Sequence, residues 1–126
     1  MITGLDHVHI MCGELDKAVK YFEDFFEGKV DSRSEVRGLR IIRVNVQGVL
    51  VNLMETDPKA GELEPGQGRR GLDHFGFRVN NLEGLVKELK KKGARFEVDL
   101  SEGSGGIKYA FLEGPERIRI ELVERP

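Results

Sequence analysis

The sequence predicts an α+β protein of two tandem βαβββ modules. Their strands are expected to form one curved, mostly antiparallel sheet, a cleft or half-barrel with the helices outside. Three observations carry this. Gly4-Leu5-Asp6-His7 recurs as Gly71-Leu72-Asp73-His74, 67 residues later. Each copy continues with alternating apolar residues and then with an apolar stripe at helical spacing. A stretch at 56–70, punctuated by Pro58, Gly61, Pro65, Gly66 and Gly68, separates the copies.

The element after each tetrapeptide reads as a strand. Val8, Ile10 and Cys12 alternate in the first copy; Phe75, Phe77 and Val79 do so in the second. Helices follow. Leu15, Ala18, Val19, Phe22, Phe25 and Phe26 form one apolar stripe, with Gly28 where a C-terminal cap would stand. Leu82, Leu85, Val86 and Leu89 form a shorter stripe, with Asn80 or Asn81 as N-cap and Gly93 as the stop. The basic cluster of Lys87, Lys90, Lys91 and Lys92 is then the solvated face of that helix. Three further strands are expected in each module, about 29–36, 39–47 and 49–55, then about 94–100, 107–112 and 117–124. The modules span about 1–55 and 71–126. Neither half has much core of its own, so the expectation is a single domain over 1–126.

The 126 residues suit one domain, and 39% hydrophobic with 33% charged residues describes a folded globule. Twenty basic against 22 acidic residues give a formal charge of −2, which argues against nucleic acid as a partner. No apolar run approaches the roughly 20 residues of a membrane span. Charged residues from Asp6 to Lys17 interrupt the place where a signal peptide would need an apolar region. The lone Cys12 excludes an intrachain disulfide framework. A cytoplasmic protein with no membrane association is expected.

Strand alternation sorts the polar residues by face. Where Val8, Ile10 and Cys12 point one way, His7, His9 and Met11 point the other. The same sorting puts His74, Gly76 and Arg78 opposite Phe75, Phe77 and Val79, and Asn52 opposite Val51 and Leu53. Arg119 and Glu121 stand opposite Ile118, Ile120 and Leu122. His7, His74 and Glu121 make up a 2-His-1-carboxylate set, which binds a metal and leaves positions open for substrate. His7 and His74 are equivalent in the repeat, and Asn52 is the equivalent of Glu121. The residues alone leave open that the histidines are structural and that Glu121 is an outward charge.

On three motifs the chain resembles the vicinal oxygen chelate (glyoxalase/bleomycin resistance/dioxygenase) superfamily. The first is Asp6-His7-Val8-x-Ile10 followed by Leu15-Asp16-Lys17-Ala18-x-x-Tyr21-Phe22. The second is Asp73-His74-Phe75-x-Phe77, and the third is Ala110-Phe111-Leu112-Glu113-Gly114-Pro115 leading to Arg119-Ile120-Glu121-Leu122. The pattern is most similar to methylmalonyl-CoA epimerase-like and glyoxalase I-like members. The resemblance implies one divalent metal ion (Co, Ni, Mn, Zn or Fe) held by His7, His74 and Glu121. Asn52 falls where those branches carry Glu or Gln. It further implies a small-molecule isomerase or lyase working through a metal-stabilised enolate of an oxygen-chelating substrate. Glu121 is then both ligand and base, Glu35 the candidate second base, and Arg78, Arg119, Tyr109 and His9 the candidate substrate-binding residues. An Fe(II) dioxygenase is the alternative, and a metal-free binding or resistance protein the third reading. A homodimer is expected, as is common in this superfamily. The Gly-rich segments 101–106 and 66–70 are candidate covers for a ligand.

Overall fold

The structure, a computed structural model, describes residues 1, 3–61, 70 and 72–126. The chain divides into two compact units, Met1–Glu62 and Leu63–Pro126. Each contains one long helix and one four-stranded sheet.

In the first unit β1 (His7–Cys12) leads to α1 (Leu15–Phe26), then β2 (Lys29–Val36), β3 (Leu39–Val46) and β4 (Val49–Glu55). The sheet order is β1-β4-β3-β2. β1 runs parallel to β4, and the other two ladders are antiparallel. Two-residue turns join β2–β3–β4. Arg37 and Gly38, like Gln47 and Gly48, both have positive φ, the mirror-image turn that matches strand twist. The apolar stripe of α1 buries Leu15, Ala18, Val19 and Phe22 against the face that carries Ile10, Cys12, Ile42, Val44, Val51 and Leu53. Cys12 is fully buried among them, as expected of a small hydrophobe.

Gly28 is a glycine for a reason different from the expected one. The left-handed residue that ends α1 is Glu27 (φ 53°), and the Gly28 amide donates to the Phe22 carbonyl at 2.9 Å. A Cβ at Gly28 would stand 2.6 Å from Val44 Cγ1 and 2.9 Å from the Phe22 carbonyl oxygen. Close packing of the helix end on β3, rather than backbone angle, requires the missing side chain.

The second unit repeats the order. β5 (Phe75–Arg78) leads to α2 (Leu82–Lys91), β6 (Phe96–Glu102), β7 (Lys108–Glu113) and β8 (Arg119–Glu124), with short 3₁₀ turns at Ser104–Gly106 and Pro115–Arg117. The sheet order β5-β8-β7-β6 reproduces that of the first sheet, again with one parallel and two antiparallel ladders. Asn81 caps α2 by accepting from the Gly84 amide at 3.1 Å, and the Glu124 carboxylate accepts from the Leu82 amide at 2.6 Å. The α2 lysines stay at the surface, Lys87 beside Glu83 and Lys90 beside Asp99. Hydrogen-bonded pairing thus gives two four-stranded sheets, and the expected α+β, mostly antiparallel character holds in each. The candidate cover at 66–69 lies outside the described residues.

Candidate metal centre

The sheet face turned away from the helix carries the polar side chains in each unit. In the second unit, β5 and β8 run parallel with Gly76 opposite Glu121 and Phe75 opposite Ile120. His74 immediately precedes β5, beside Glu121. Its Nδ1 lies 2.7 Å from Asp73 Oδ2, and its Nε2 lies 3.2 Å from Glu121 Oε2. Gly76 makes the room for this carboxylate: a Cβ there would stand 3.2 Å from Glu121 Cβ and 3.3 Å from Oε2. The His74 ring meets the Phe111 ring edge-on at 4.9 Å.

Arg119 holds the other end of the chain of contacts. Its guanidinium stacks on Phe111 with Cζ 4.4 Å from the ring centre. Nε donates to Glu97 Oε2 at 2.9 Å, and Nη1 donates to Asp73 Oδ2. The Asp73 carboxyl is held below the usual carboxylate range, first by the hydrogen bond from His74 and then by the Arg119 charge, against partial desolvation. The Arg119 guanidinium is pushed up in turn, chiefly by Glu97.

In the first unit the same tetrapeptide gives the same first contact, with His7 Nδ1 2.7 Å from Asp6 Oδ1. Across the sheet, His9 stands opposite Asn52, and Asn52 opposite Arg43. Asn52 is buried, and its Oδ1 has no hydrogen-bond partner. An unsatisfied buried carbonyl oxygen costs about 1–3 kcal/mol.

This donor chemistry fits a divalent cation. An imidazole that donates Nδ1–H to a carboxylate presents a lone pair at Nε2, the usual arrangement behind a metal-bound histidine. At His74, Nε2 stands 3.2 Å from carboxylate Oε2 of Glu121, a spacing that one shared cation fits. Two donors each about 2.1 Å from one ion at tetrahedral or octahedral angles stand about 3.0–3.4 Å apart, which brackets the observed spacing. The orphaned Asn52 oxygen is a neutral donor of the same kind. Among the described residues no group of three or more His, Cys, Asp or Glu gathers into a cluster of its own. The donors come as the His74–Glu121 pair in the second unit, with His7 and Asn52 in the first.

The other expected site residues fall out unequally. Arg119 is on the expected face but is engaged by Asp73, Glu97 and Phe111. Arg78 and Tyr109 share that face two rows along, each opposite Val123. His9 is exposed beside Asn52. Glu35 is not brought to this face. It pairs across with Arg40 and lines a cavity of about 510 Å³ on the helix side together with Asp16, Glu23 and Arg40. Sequence reading missed Arg43. It lies next to Asn52 and donates to Ser34 Oγ at 3.0 Å and Ser32 Oγ at 3.4 Å, with no carboxylate partner among the described residues. The alternation of Ile42, Val44 and Val46 on β3 was the signal that would have placed it.

The family model of the Glyoxalase/Bleomycin resistance protein/Dioxygenase superfamily matches residues 4–122. The chain belongs to this superfamily. It is 26% identical over 144 aligned positions to a lactoylglutathione lyase of Schizosaccharomyces pombe, covering 96% of this chain and 47% of that protein. It is 26% identical over 115 positions to the mitochondrial methylmalonyl-CoA epimerase of Homo sapiens, covering 86% and 65%. The chain therefore spans about half to two thirds of the length of these relatives. Among solved structures, a glyoxalase/bleomycin resistance protein/dioxygenase domain from Frankia sp. EAN1pec superposes with a TM-score of 0.82 at 22% identity, over 100% of this chain and 94% of that one. A Listeria monocytogenes fosfomycin resistance protein, solved with Mn(II) and 1S,2S-dihydroxypropylphosphonic acid, superposes with a TM-score of 0.75 at 16% identity, over 97% and 92%. These superpositions establish the shared superfamily fold. No helix among the described residues is long and apolar enough to cross a membrane.

Proposed function

We propose that this superfamily member is a divalent-metal-dependent isomerase or lyase of the epimerase and glyoxalase kind. Its ion would be held by His7, His74 and Glu121, with Asn52 as a neutral fourth donor. The two units would then act as one domain. The observation that carries this reading is the His74–Glu121 pair, set 3.2 Å apart with the far side of the imidazole tied to Asp73. The orphaned Asn52 oxygen and the lyase and epimerase relatives support it.

A bound divalent ion would supply Lewis acidity, drawing negative charge onto two chelated substrate oxygens. The chain's residues do the rest. Asp73 ties down the far side of the His74 imidazole, and Asp6 meets His7 Nδ1 from an exposed position. Glu121 presents one carboxylate oxygen toward His74 and has a second to take a proton from the carbon beside a substrate carbonyl. Phe111 lies across the β7–β8 ladder from Glu121 and edge-on to the His74 ring, an apolar neighbour to both. Arg43, part-buried beside Asn52 and unpaired with any described carboxylate, is suited to an anionic group of the substrate. Glu35 sits on the opposite sheet face, so Glu121 carries the proton step in this reading.

Elemental analysis after anaerobic purification, followed by deuterium exchange, tests the proposal. About one Co, Ni, Mn or Zn per chain is expected, with uptake of solvent deuterium at the carbon next to the carbonyl of a 2-methylmalonyl thioester or a hemithioacetal, and without oxygen consumption. Bound Fe together with oxygen uptake on a catechol or 2-oxo acid would instead make the protein a dioxygenase. Failure to bind any divalent ion, with no thermal shift on adding one, would make it a binding module. Size-exclusion chromatography with light scattering tests the expected homodimer.

A further inference from the structure

The two histidines that the repeat makes equivalent are not held equivalently. Asp6, the partner of His7, is 87% exposed and has no cation against it among the described residues except His7 itself. Asp73, the partner of His74, is 40% exposed and receives Nη1–H of Arg119, a residue 46 positions away whose own side chain is 12% exposed. Arg119 is fixed from two further directions, by the two Glu97 oxygens at 2.9 and 3.2 Å and by its stack on Phe111. Phe111 also touches the His74 ring. The position equivalent to Arg119 in the first unit is Leu50, which faces His7 across the β1–β4 ladder and offers no charge.

We infer that Arg119 is the positioning residue for His74. It locks Asp73 so that the imidazole keeps its proton on Nδ1 and its lone pair on Nε2 aimed at Glu121, and it does so for this histidine alone. The second unit thus carries a rigid donor pair, and the first a histidine free to adjust. A three-centre contact explains the choice of arginine. The planar guanidinium reaches Asp73 and Glu97 with different nitrogens while lying flat on Phe111, which a lysine ammonium cannot do. Every contact is between side chains of one unit, so the assignment does not depend on how the two units meet.

The inference deepens the metal reading but is tested separately from it, by nitrogen NMR of the imidazoles in the metal-free full chain at alkaline pH. The three histidines are assigned through His9→Gln and His7→Gln. In the unaltered protein His74 is expected to show a single Nδ1–H form and His7 an averaged mixture. Arg119→Gln should move His74 to the averaged pattern and leave His7 unchanged, and Arg119→Lys should give an intermediate pattern while preserving the charge. Zn(II) affinity by calorimetry should fall about 10–100-fold in Arg119→Gln, the range for loss of an outer partner of a metal-bound histidine. If Arg119→Gln does not fold, the lysine variant decides. An unchanged His74 pattern in a folded Arg119 variant would overturn the inference, as would identical His7 and His74 patterns in the unaltered protein. Absence of Zn(II) binding to the unaltered protein would remove the metal reading and leave the imidazole result to stand or fall by itself.

Discussion

Gly76 lies directly across the β5–β8 ladder from Glu121, and a Cβ there would press on the Glu121 side chain at 3.2–3.3 Å. The glycine therefore sets where the carboxylate rests. Gly76→Ala should push Glu121 aside by a few tenths of an ångström. Divalent-metal affinity, read by calorimetry, is expected to drop about 10-fold. Thermal stability should change little, because restricting the unfolded chain offsets the crowding, within about 1 kcal/mol.

Removing a charged donor and removing a neutral one should differ. Glu121→Ala is expected to abolish tight metal binding, and it leaves the His74 lone pair without its neighbour. Asn52→Ala should weaken binding modestly, and it also deletes a buried oxygen that has no protein partner. Metal content per chain, measured side by side with the unaltered protein, checks both. Equal content in all three would remove these residues as donors.

The sheet faces could be read in the sequence, but the contacts between them could not. Alternation placed His7, Asn52, His74 and Glu121 on the helix-free faces because each neighbours a run of alternating apolar residues. The Arg119–Asp73 contact joins positions 46 apart, and only the β5–β8 register brings them together. β2 reads Lys29-Val30-Asp31-Ser32-Arg33-Ser34-Glu35-Val36, with too few apolar residues to show a face. It also carries an irregularity between Val30 and Ser32 that resets the alternation. That is why Glu35 lies on the helix side. Gly28 shows the same limit. Its place at the helix end was plain, whereas its contact with Val44 needed the packing.

Phe22 is fully buried between α1 and the first sheet. Phe22→Ala should cost about 3–5 kcal/mol. The melting temperature by calorimetry is expected to fall by on the order of 10 °C or more. The His74 imidazole signals should stay in place at temperatures where the variant is folded, since Phe22 belongs to the other unit.

Acid should destabilise the fold in a defined window. The Asp99 carboxyl is held below its usual range by the Lys90 hydrogen bond first, and the Glu55 carboxyl by the Arg40 backbone amide first. Both groups bind protons more readily unfolded than folded, so their contribution is complete above the ordinary carboxylate values of about 4. It is lost as pH falls through the lower folded values. Melting temperature against pH should be flat from pH 6 to 8 and decline below about pH 4.5. Asp99→Asn with Glu55→Gln should shallow the decline, and high salt should do so in part because both pairs are solvent-exposed.

The β1–β4–β3 ladders and the β5–β8–β7 ladders share one register, so positions on the first three strands have counterparts on the second three. The tetrapeptide is the same in both copies while the polar-face positions near it differ: Leu50 against Arg119, Asn52 against Glu121, Arg43 against Phe111, His9 against Gly76. Duplication has released the chain from having to satisfy one role twice. One copy keeps the carboxylate and its rigid supports; the other keeps polar and cationic groups that can change without disturbing them. New substrate preference in such a chain should therefore arise by replacement at 9, 43 and 50, where drift is cheap, before it arises at 76, 111 or 119.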